Sequence, residues 1–458
     1  MMFSILPILP VFHDAGGPHG FGTENFSRGG VIRQATVVCY ARVTVACRRG
    51  QGTARSPKSF HKRLTVLTVA VCISVILEPR PGRSLFLYCM KKTTISRRSF
   101  LGRLSLGAAV AAANPFDLYA RPLRPGKPLG IALVGLGKYS TGQLGPALKQ
   151  TTLCKLTGVV TGSPEKGRQW AKDYGFPEKN IYSYDNMQQL ADNKDIDIVY
   201  IVTPNGLHAP HAIAAAKAGK HVICEKPMAR TVAECDSIIA ACKAAGVQLS
   251  IGYRLHFDPY HIELMRLAKE KDFGAFTRMT GDRGFIMKNK VWRADKQLAG
   301  GGPIMDLGVY IIHGACMAAG GATPLAVTAS EHPKTQPAMF TDVEEGMNWT
   351  MEFPGGAVCT AQTSYQHSAD TFRAEGNKGW IAFKEHAFTY RGMVVETSRG
   401  PISYTPPNQQ ALQMDNFADC ILSKKETPVP GELGRRDVAI IEAIYQAAAT
   451  GRRIPVKS

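Results

Sequence analysis

The chain has 458 residues, 45% hydrophobic and 20% charged, a composition that excludes a disordered polymer and allows two domains with cores of their own. Its net charge of +19 does not point to nucleic acid, because the excess sits at the N-terminal end. Residues 1–89 hold 11 basic and 3 acidic side chains and residues 90–113 five basic and none acidic, which leaves +6 for residues 114–458.

Residues 1–89 show no clear periodicity. Their apolar run Leu64–Leu77 is shorter than the ~20 residues a spanning helix needs, so no stable membrane span is expected. Met90-Lys91-Lys92 followed by Ser96-Arg97-Arg98-Ser99-Phe100-Leu101 has the form of a twin-arginine export signal. A mildly apolar stretch to Ala113 and small residues up to Ala120 follow it. The expectations are a signal region over 90–120, a periplasmic location, and Met90 as the true initiator, with 1–89 a doubtful extension. Eleven cysteines include no C-x-x-C pair. Cys154, Cys224, Cys235, Cys242, Cys316, Cys359 and Cys420 therefore read as buried small hydrophobes rather than a disulfide framework or a zinc site. The histidines have no ligand spacing with carboxylates, and no metal is expected.

Beyond a Pro-rich lead from Arg121, strand and helix signals alternate, the mark of a parallel sheet with crossover helices. Leu129–Val134 reads as the first strand, followed by Gly135-Leu136-Gly137-Lys138-Tyr139 and a helix from about Ser140. Such a turn lets backbone N–H groups approach a pyrophosphate at a helix N-terminus, with Ser140 in place of the third glycine. Lys155–Val160 is the second strand and Pro164–Tyr174 the next helix. The strand end Thr161-Gly162-Ser163, with Lys166 close by, lacks the carboxylate that binds an adenosine ribose. A hydroxyl and an ammonium there favour NADP over NAD. Ile196–Val202 is a further strand ending in Thr203-Pro204-Asn205, and His208 opens an alanine-rich helix at a loop that touches the cofactor. Strand His221–Cys224 ends in Glu225-Lys226-Pro227, which puts Lys226 at the mouth of the crevice, aimed inward by a cis bond. Helix Val232–Ala245 and strand Val247–Gly252 close a Rossmann domain over 121–252.

From Tyr253 the character changes. Gly252-Tyr253-Arg254 brings a phenol, expected to touch substrate, and a cation, expected to touch the cofactor, to the domain junction, and helix Pro259–Lys269 follows. Trp292-Arg293 offers a flat apolar face and a guanidinium suited to a sugar ring. Gly300-Gly301-Gly302 permits close backbone approach to a ligand, and Asp306 and Tyr310 then lie four apart on one helix face. Thr/Val-rich stretches at Met347–Phe353, Ala357–Tyr365 and Gly379–Phe383 predict a large, mostly antiparallel open sheet. A final helix spans Arg436–Ala449. The fold class is α/β, a Rossmann domain plus an α+β domain over 253–458. Lysine, carboxylate and phenol together supply what a dehydrogenase of alcohols needs: Tyr310 as base, Lys226 lowering its pKa, and Asp306 orienting substrate.

These motifs, in order from about Leu129 to Pro455, resemble the glucose–fructose oxidoreductase, inositol dehydrogenase and related sugar dehydrogenase family. Tyr310, where many relatives have histidine, is similar to the glucose–fructose type. The resemblance implies a nicotinamide cofactor, a small sugar substrate oxidised at its anomeric carbon with coupled reduction of a ketose, and a homodimer or homotetramer joined through the C-terminal sheet. In that type the segment after the signal encloses a neighbour's cofactor; here Asn114–Pro128 is short but Pro-rich. The rival readings are a dehydrogenase of another sugar or polyol with freely exchanging cofactor, a nicotinamide-dependent glycosidase, and a sugar sensor without turnover.

Overall fold

The structure is a computed structural model that describes the strands Cys39–Ala46 and Thr68–Val75 and residues 127–457. The two early strands pair antiparallel, Cys39 opposite Val75 and Ala46 opposite Thr68, so the apolar run expected not to cross a membrane holds a strand. The export signal lies outside the described residues. Among those described, no helix is long and apolar enough to cross a membrane.

Runs of β-branched and aliphatic residues with no polar alternation form strands covered on both faces. Leu129–Val134 and Ile198–Ile201 are of this kind, with Ile131, Leu133, Val134 and all of Ile198–Ile201 inaccessible to solvent. Each such aliphatic side chain contributes about 1.5–3 kcal/mol on burial. In space the parallel strands run Ile181–Tyr182, Cys154–Val160, Leu129–Val134, Ile198–Ile201, His221–Cys224 and Leu249–Ile251. The chain starts in the middle, moves outward, then returns to the other side of its first strand. That reversal, between Leu129–Val134 and Ile198–Ile201, opens a crevice at the strands' carboxyl ends.

The second sheet has nine strands, in the order Gly400–Ile402, Val394–Thr397, Gly379–Glu385, Ala369–Gly376, Phe276–Gly284, Val358–Ser364, Gly346–Glu352, Ala326–Glu331 and Ile454–Pro455. Every neighbouring pair is antiparallel except Phe276–Gly284 with Val358–Ser364. The expected α/β class with a mostly antiparallel second sheet is borne out. Helices Pro259–Glu270, Val309–Ala318 and Gly431–Thr450 bury their apolar residues against it. The last of these is longer than predicted at both ends.

One long helix differs from expectation. Gln409–Ser423 returns to the parallel sheet and packs Met414, Phe417 and Ala418 against Ile131, Leu133 and Ile223. Asp415 ties it down by accepting from the backbone N–H groups of Thr152 and Leu153. Cys154, Cys224, Cys235, Cys242, Cys316, Cys359 and Cys420 are buried, as expected of small hydrophobes.

Candidate active site

The crevice begins at the glycine turn. Gly135 has φ of +97°, a conformation that a side chain would strain, and its N–H donates to the Val160 carbonyl. Ser140 is fully buried and its hydroxyl donates to the Gly135 carbonyl at 2.6 Å, so serine at the third position locks the turn. It opens a π-helical turn, Ser140–Leu144, that continues as the α-helix Gly145–Leu148. A methyl group built on Gly137 would meet no atom within 4 Å, which leaves the turn open for a pyrophosphate. Leu136 is buried, while Lys138 is exposed beside it.

At the neighbouring strand end, Thr161 accepts from the Ser163 N–H at 3.1 Å, and Ser163 caps helix Pro164–Tyr174. The Lys166 ammonium donates to the Leu136 carbonyl at 3.3 Å, bridging the two turns. Gly162 faces Tyr184, which stacks on His211 with ring centroids 5.0 Å apart. No carboxylate occupies this strand end (Thr161-Gly162-Ser163), in keeping with the sequence reading. The residues present fit a dinucleotide along this edge.

Several expected contacts lie elsewhere. Both His208 ring nitrogens are taken, Nδ1 lying 2.9 Å from the Pro227 carbonyl oxygen and Nε2 2.8 Å from that of Thr203. This buried histidine is a strut between two strand-end loops rather than a cofactor contact. Pro204 precedes a short 3-10 turn whose first residue, Asn205, is also buried and donates to the Ala299 carbonyl at 2.8 Å. Glu225 lies under the crevice floor, accepting from the Tyr200 hydroxyl at 2.7 Å and from the Lys226 N–H at 3.2 Å, while Gln413 donates to Tyr200. Burial pushes its carboxyl up.

Tyr253 does not reach a substrate site. It is buried, stacks on His313 at 3.8 Å and donates to Asp437 at 2.5 Å. Burial would raise the Asp437 carboxyl, but Arg436 and His313 pull it down to about 2. Arg254 turns the other way, for adjacent residues at the start of the turn Arg254–Phe257 point apart. It donates to the Thr389 carbonyl and Gln409 Oε1, at 3.0 and 2.5 Å, and to the Phe388 carbonyl. Its guanidinium thus holds the loop around Tyr390, 4.4 Å from that ring.

Lys226, Asp306 and Tyr310 do converge. The Lys226–Pro227 bond is cis, as expected, and Lys226 Nζ lies 4.2 Å from the centre of the Tyr310 ring. The same ammonium donates to the Asp306 backbone carbonyl at 3.1 Å. The helix expected to carry both residues begins as a π-helical turn, Ile304–Gly308, and becomes α-helical at Val309. Asp306 is in the first part and Tyr310 in the second, so the extra residue in the turn re-aims the carboxylate. Asp306 Oδ2 accepts from Arg293 Nε at 2.7 Å and from the Tyr365 hydroxyl at 3.2 Å. Its Oδ1 accepts from no group among the described residues. Arg293 also stacks on Trp292 at 4.5 Å.

The triple glycine makes its close approach to the protein, not to a ligand. A methyl on Gly301 would fall 1.8 Å from the Tyr445 hydroxyl and one on Gly302 2.1 Å from the Glu344 carbonyl oxygen. The buried Glu344 carboxylate accepts from the Gly302 and Ile304 N–H groups, at 2.9 and 3.0 Å, and caps the helix that carries Asp306 and Tyr310.

Electrostatics set the chemistry. Burial would push the Tyr310 phenol up, but Lys226, Arg254 and Arg283 around it prevail and hold it below its ordinary value. The Asp306 carboxyl, raised by burial, is brought below the usual carboxylate range by Arg293 and Lys226. Arg283, Tyr365, Tyr390 and Glu344 were not singled out from sequence. Tyr390 stacks on Tyr139 at 6.2 Å, which joins the glycine turn to the catalytic cluster.

Known proteins share this fold. Residues 129–253 match the model of an oxidoreductase family with an NAD-binding Rossmann fold, and residues 261–382 match the GFO/IDH/MocA C-terminal domain. D-xylose 1-dehydrogenase (NADP(+)) of Haloarcula marismortui is 29% identical over 335 residues, 70% of this chain and 92% of that protein. Levoglucosan dehydrogenase of Pseudarthrobacter phenanthrenivorans is 30% identical over 260 residues, 49% of this chain and 64% of that protein. The solved aldose-aldose oxidoreductase from Caulobacter crescentus, complexed with glycerol, is 39% identical and superposes with a TM-score of 0.70. That match covers 72% of this chain and 100% of the other. The chain belongs to the GFO/IDH/MocA family and is an NAD(P)-dependent oxidoreductase.

Proposed function

We propose that this protein is an exported, NADP-dependent sugar oxidoreductase that oxidises an aldose at its anomeric carbon and returns the hydride to a second sugar. The observation that carries the reading is the half-buried Tyr310 phenol among cations, beside a carboxylate with one oxygen unpartnered among the described residues. A sugar presents adjacent hydroxyls, and this arrangement suits such a pair. Asp306 Oδ1 accepts from the hydroxyl next to the reacting one, while Arg293 and Tyr365 keep the carboxylate from turning. Tyr310 takes the proton of the anomeric hydroxyl, and Lys226 stabilises the oxygen that gives it up. As that O–H electron pair becomes the new C=O bond, the aldose becomes a lactone. A bound nicotinamide supplies the acceptor for the hydride that leaves the carbon.

The missing carboxylate at Thr161 and the Lys166 ammonium support NADP, as does the cofactor named for the Haloarcula relative. A second reading concerns the hydride's destination. The sequence resemblance implies a ketose, whereas the Caulobacter neighbour is an aldose-aldose oxidoreductase, which favours a second aldose. Incubating the purified protein with NADP and a panel of aldoses tests the function directly. Reduced NADP and lactone should form, with NAD a poorer cofactor, and adding the second sugar should yield its alditol while lactone continues to accumulate. Release of an aryl alcohol from aryl glycosides, without lactone, would instead identify a glycosidase. Export rests on Arg97 and Arg98. Replacing both by Lys should trap the protein in the cytoplasm, and an unchanged periplasmic fraction would refute that part.

A further inference from the structure

Arg283 lies on Phe276–Gly284, the middle strand of the nine-stranded sheet, directly opposite Asp370 on the neighbouring strand. Its Nη1 donates to Asp370 Oδ1 at 2.6 Å, and the two side chains are only 13% and 15% exposed. The Asp370 carboxylate also accepts from the Phe388 N–H, which fixes it from a second side. The guanidinium carbon is 4.4 Å from the centre of the Tyr310 ring and 5.4 Å from that of Phe388. Arg283 Nε is buried with no partner among the described residues. An orphaned donor of this kind costs stability, and a cross-strand ion pair made only for the sheet would have no reason to aim its cation at a phenol.

We propose that Arg283, anchored by Asp370, is a further positioning residue of the reaction, holding positive charge against Tyr310 so that the phenol can serve as the proton acceptor. The inference rests on the role given to Tyr310 above. Other charged or titratable groups also face that phenol. Lys226 and Glu225 come from the end of strand His221–Cys224, and Arg254 from the turn after strand Leu249–Ile251. Tyr139 and Tyr390 approach from the glycine turn and the loop after Gly379–Glu385, and Arg293 from the segment that pins Asp306. Lys226 and Arg254 are tied to backbone carbonyls or an amide, whereas Arg283 has a carboxylate partner that partly neutralises it. Its influence is therefore adjustable from both ends of the pair: losing the arginine and losing the aspartate change the field at Tyr310 in opposite senses.

The full chain, isotope-labelled at the tyrosine Cζ, allows the Tyr310 titration to be followed by NMR without turnover, the resonance being identified by its loss in Tyr310→Phe. In Arg283→Gln that titration and the acid limb of kcat/KM should both move up by about one pH unit. Arg283→Lys should restore most of the shift, and Asp370→Asn should move both downward. An unmoved titration in Arg283→Gln, or a shift of the same sign in Arg283→Gln and Asp370→Asn, would overturn the proposal and mark the pair as a sheet brace. Full activity of Tyr310→Phe would sink the proton-acceptor reading instead, and the NMR titration keeps the two failures apart.

Discussion

Tyr310→Phe should lower kcat by about a hundred- to ten-thousandfold, the usual contribution of a positioned proton acceptor. The substitution removes one oxygen and keeps the ring, which packs 6.0 Å from Phe388 with Lys226 and Arg283 over its face. The fold and the substrate KM should therefore change little. The pH profile supplies a sharper readout. Only the phenolate can take a proton, so activity of the native protein should rise through the Tyr310 pKa, which lies below 10 because the surrounding cations outweigh burial. The Phe variant should lose that limb along with the rate. A variant that forms reduced nicotinamide at near-native speed, measured by absorbance under saturating sugar, would show that the proton goes elsewhere.

Lys226→Met is expected to be as damaging and to differ in kind. Methionine keeps the length and apolar stem but removes the charge 4.2 Å from the Tyr310 ring centre and the donor to the Asp306 carbonyl. Loss of an opposite charge at that distance raises the phenol pKa by about 1–3 units. The acid limb should move to higher pH by that amount, and kcat/KM near neutrality should fall by about a thousandfold as the phenolate fraction and the stabilisation of the reacting oxygen are lost together. Raising the pH should recover part of the rate in Lys226→Met and none in Tyr310→Phe. Equal and pH-independent losses in the two variants would contradict the division of labour.

How much of this site could be read in advance depended on how local each signal was. Gly135 and Gly137 follow a buried strand, Lys226 ends one, and Asp306 and Tyr310 follow a glycine turn. Such patterns lie within a few residues and need no tertiary knowledge. Arg283 was invisible for the opposite reason. It sits in a polar stretch of strand, and its meaning comes from a helix that begins some twenty residues later and from Asp370 across the sheet. Tyr253 was misread because adjacency in sequence was taken as adjacency in space, while the turn sends Tyr253 to Asp437 and Arg254 to Tyr310. His208 sat at the right loop, but its ring is used by two carbonyls. The helix Gln409–Ser423 does carry an apolar face at Ala411, Met414, Phe417 and Ala418. That face packs on a sheet formed by residues some 250 positions earlier, and its three buried glutamines masked the periodicity.

Everything in the mechanism requires one sugar to reach Tyr310, Asp306 and Lys226 at once. A crystal structure of the protein with NADP and an aldose it oxidises would test this most directly. The anomeric hydroxyl should lie within hydrogen-bonding distance of the Tyr310 oxygen and of Lys226 Nζ, and the adjacent hydroxyl on Asp306 Oδ1. A sugar whose reacting carbon lies against the nicotinamide while its hydroxyl is bound by some other group, with Tyr310 out of reach, would contradict it.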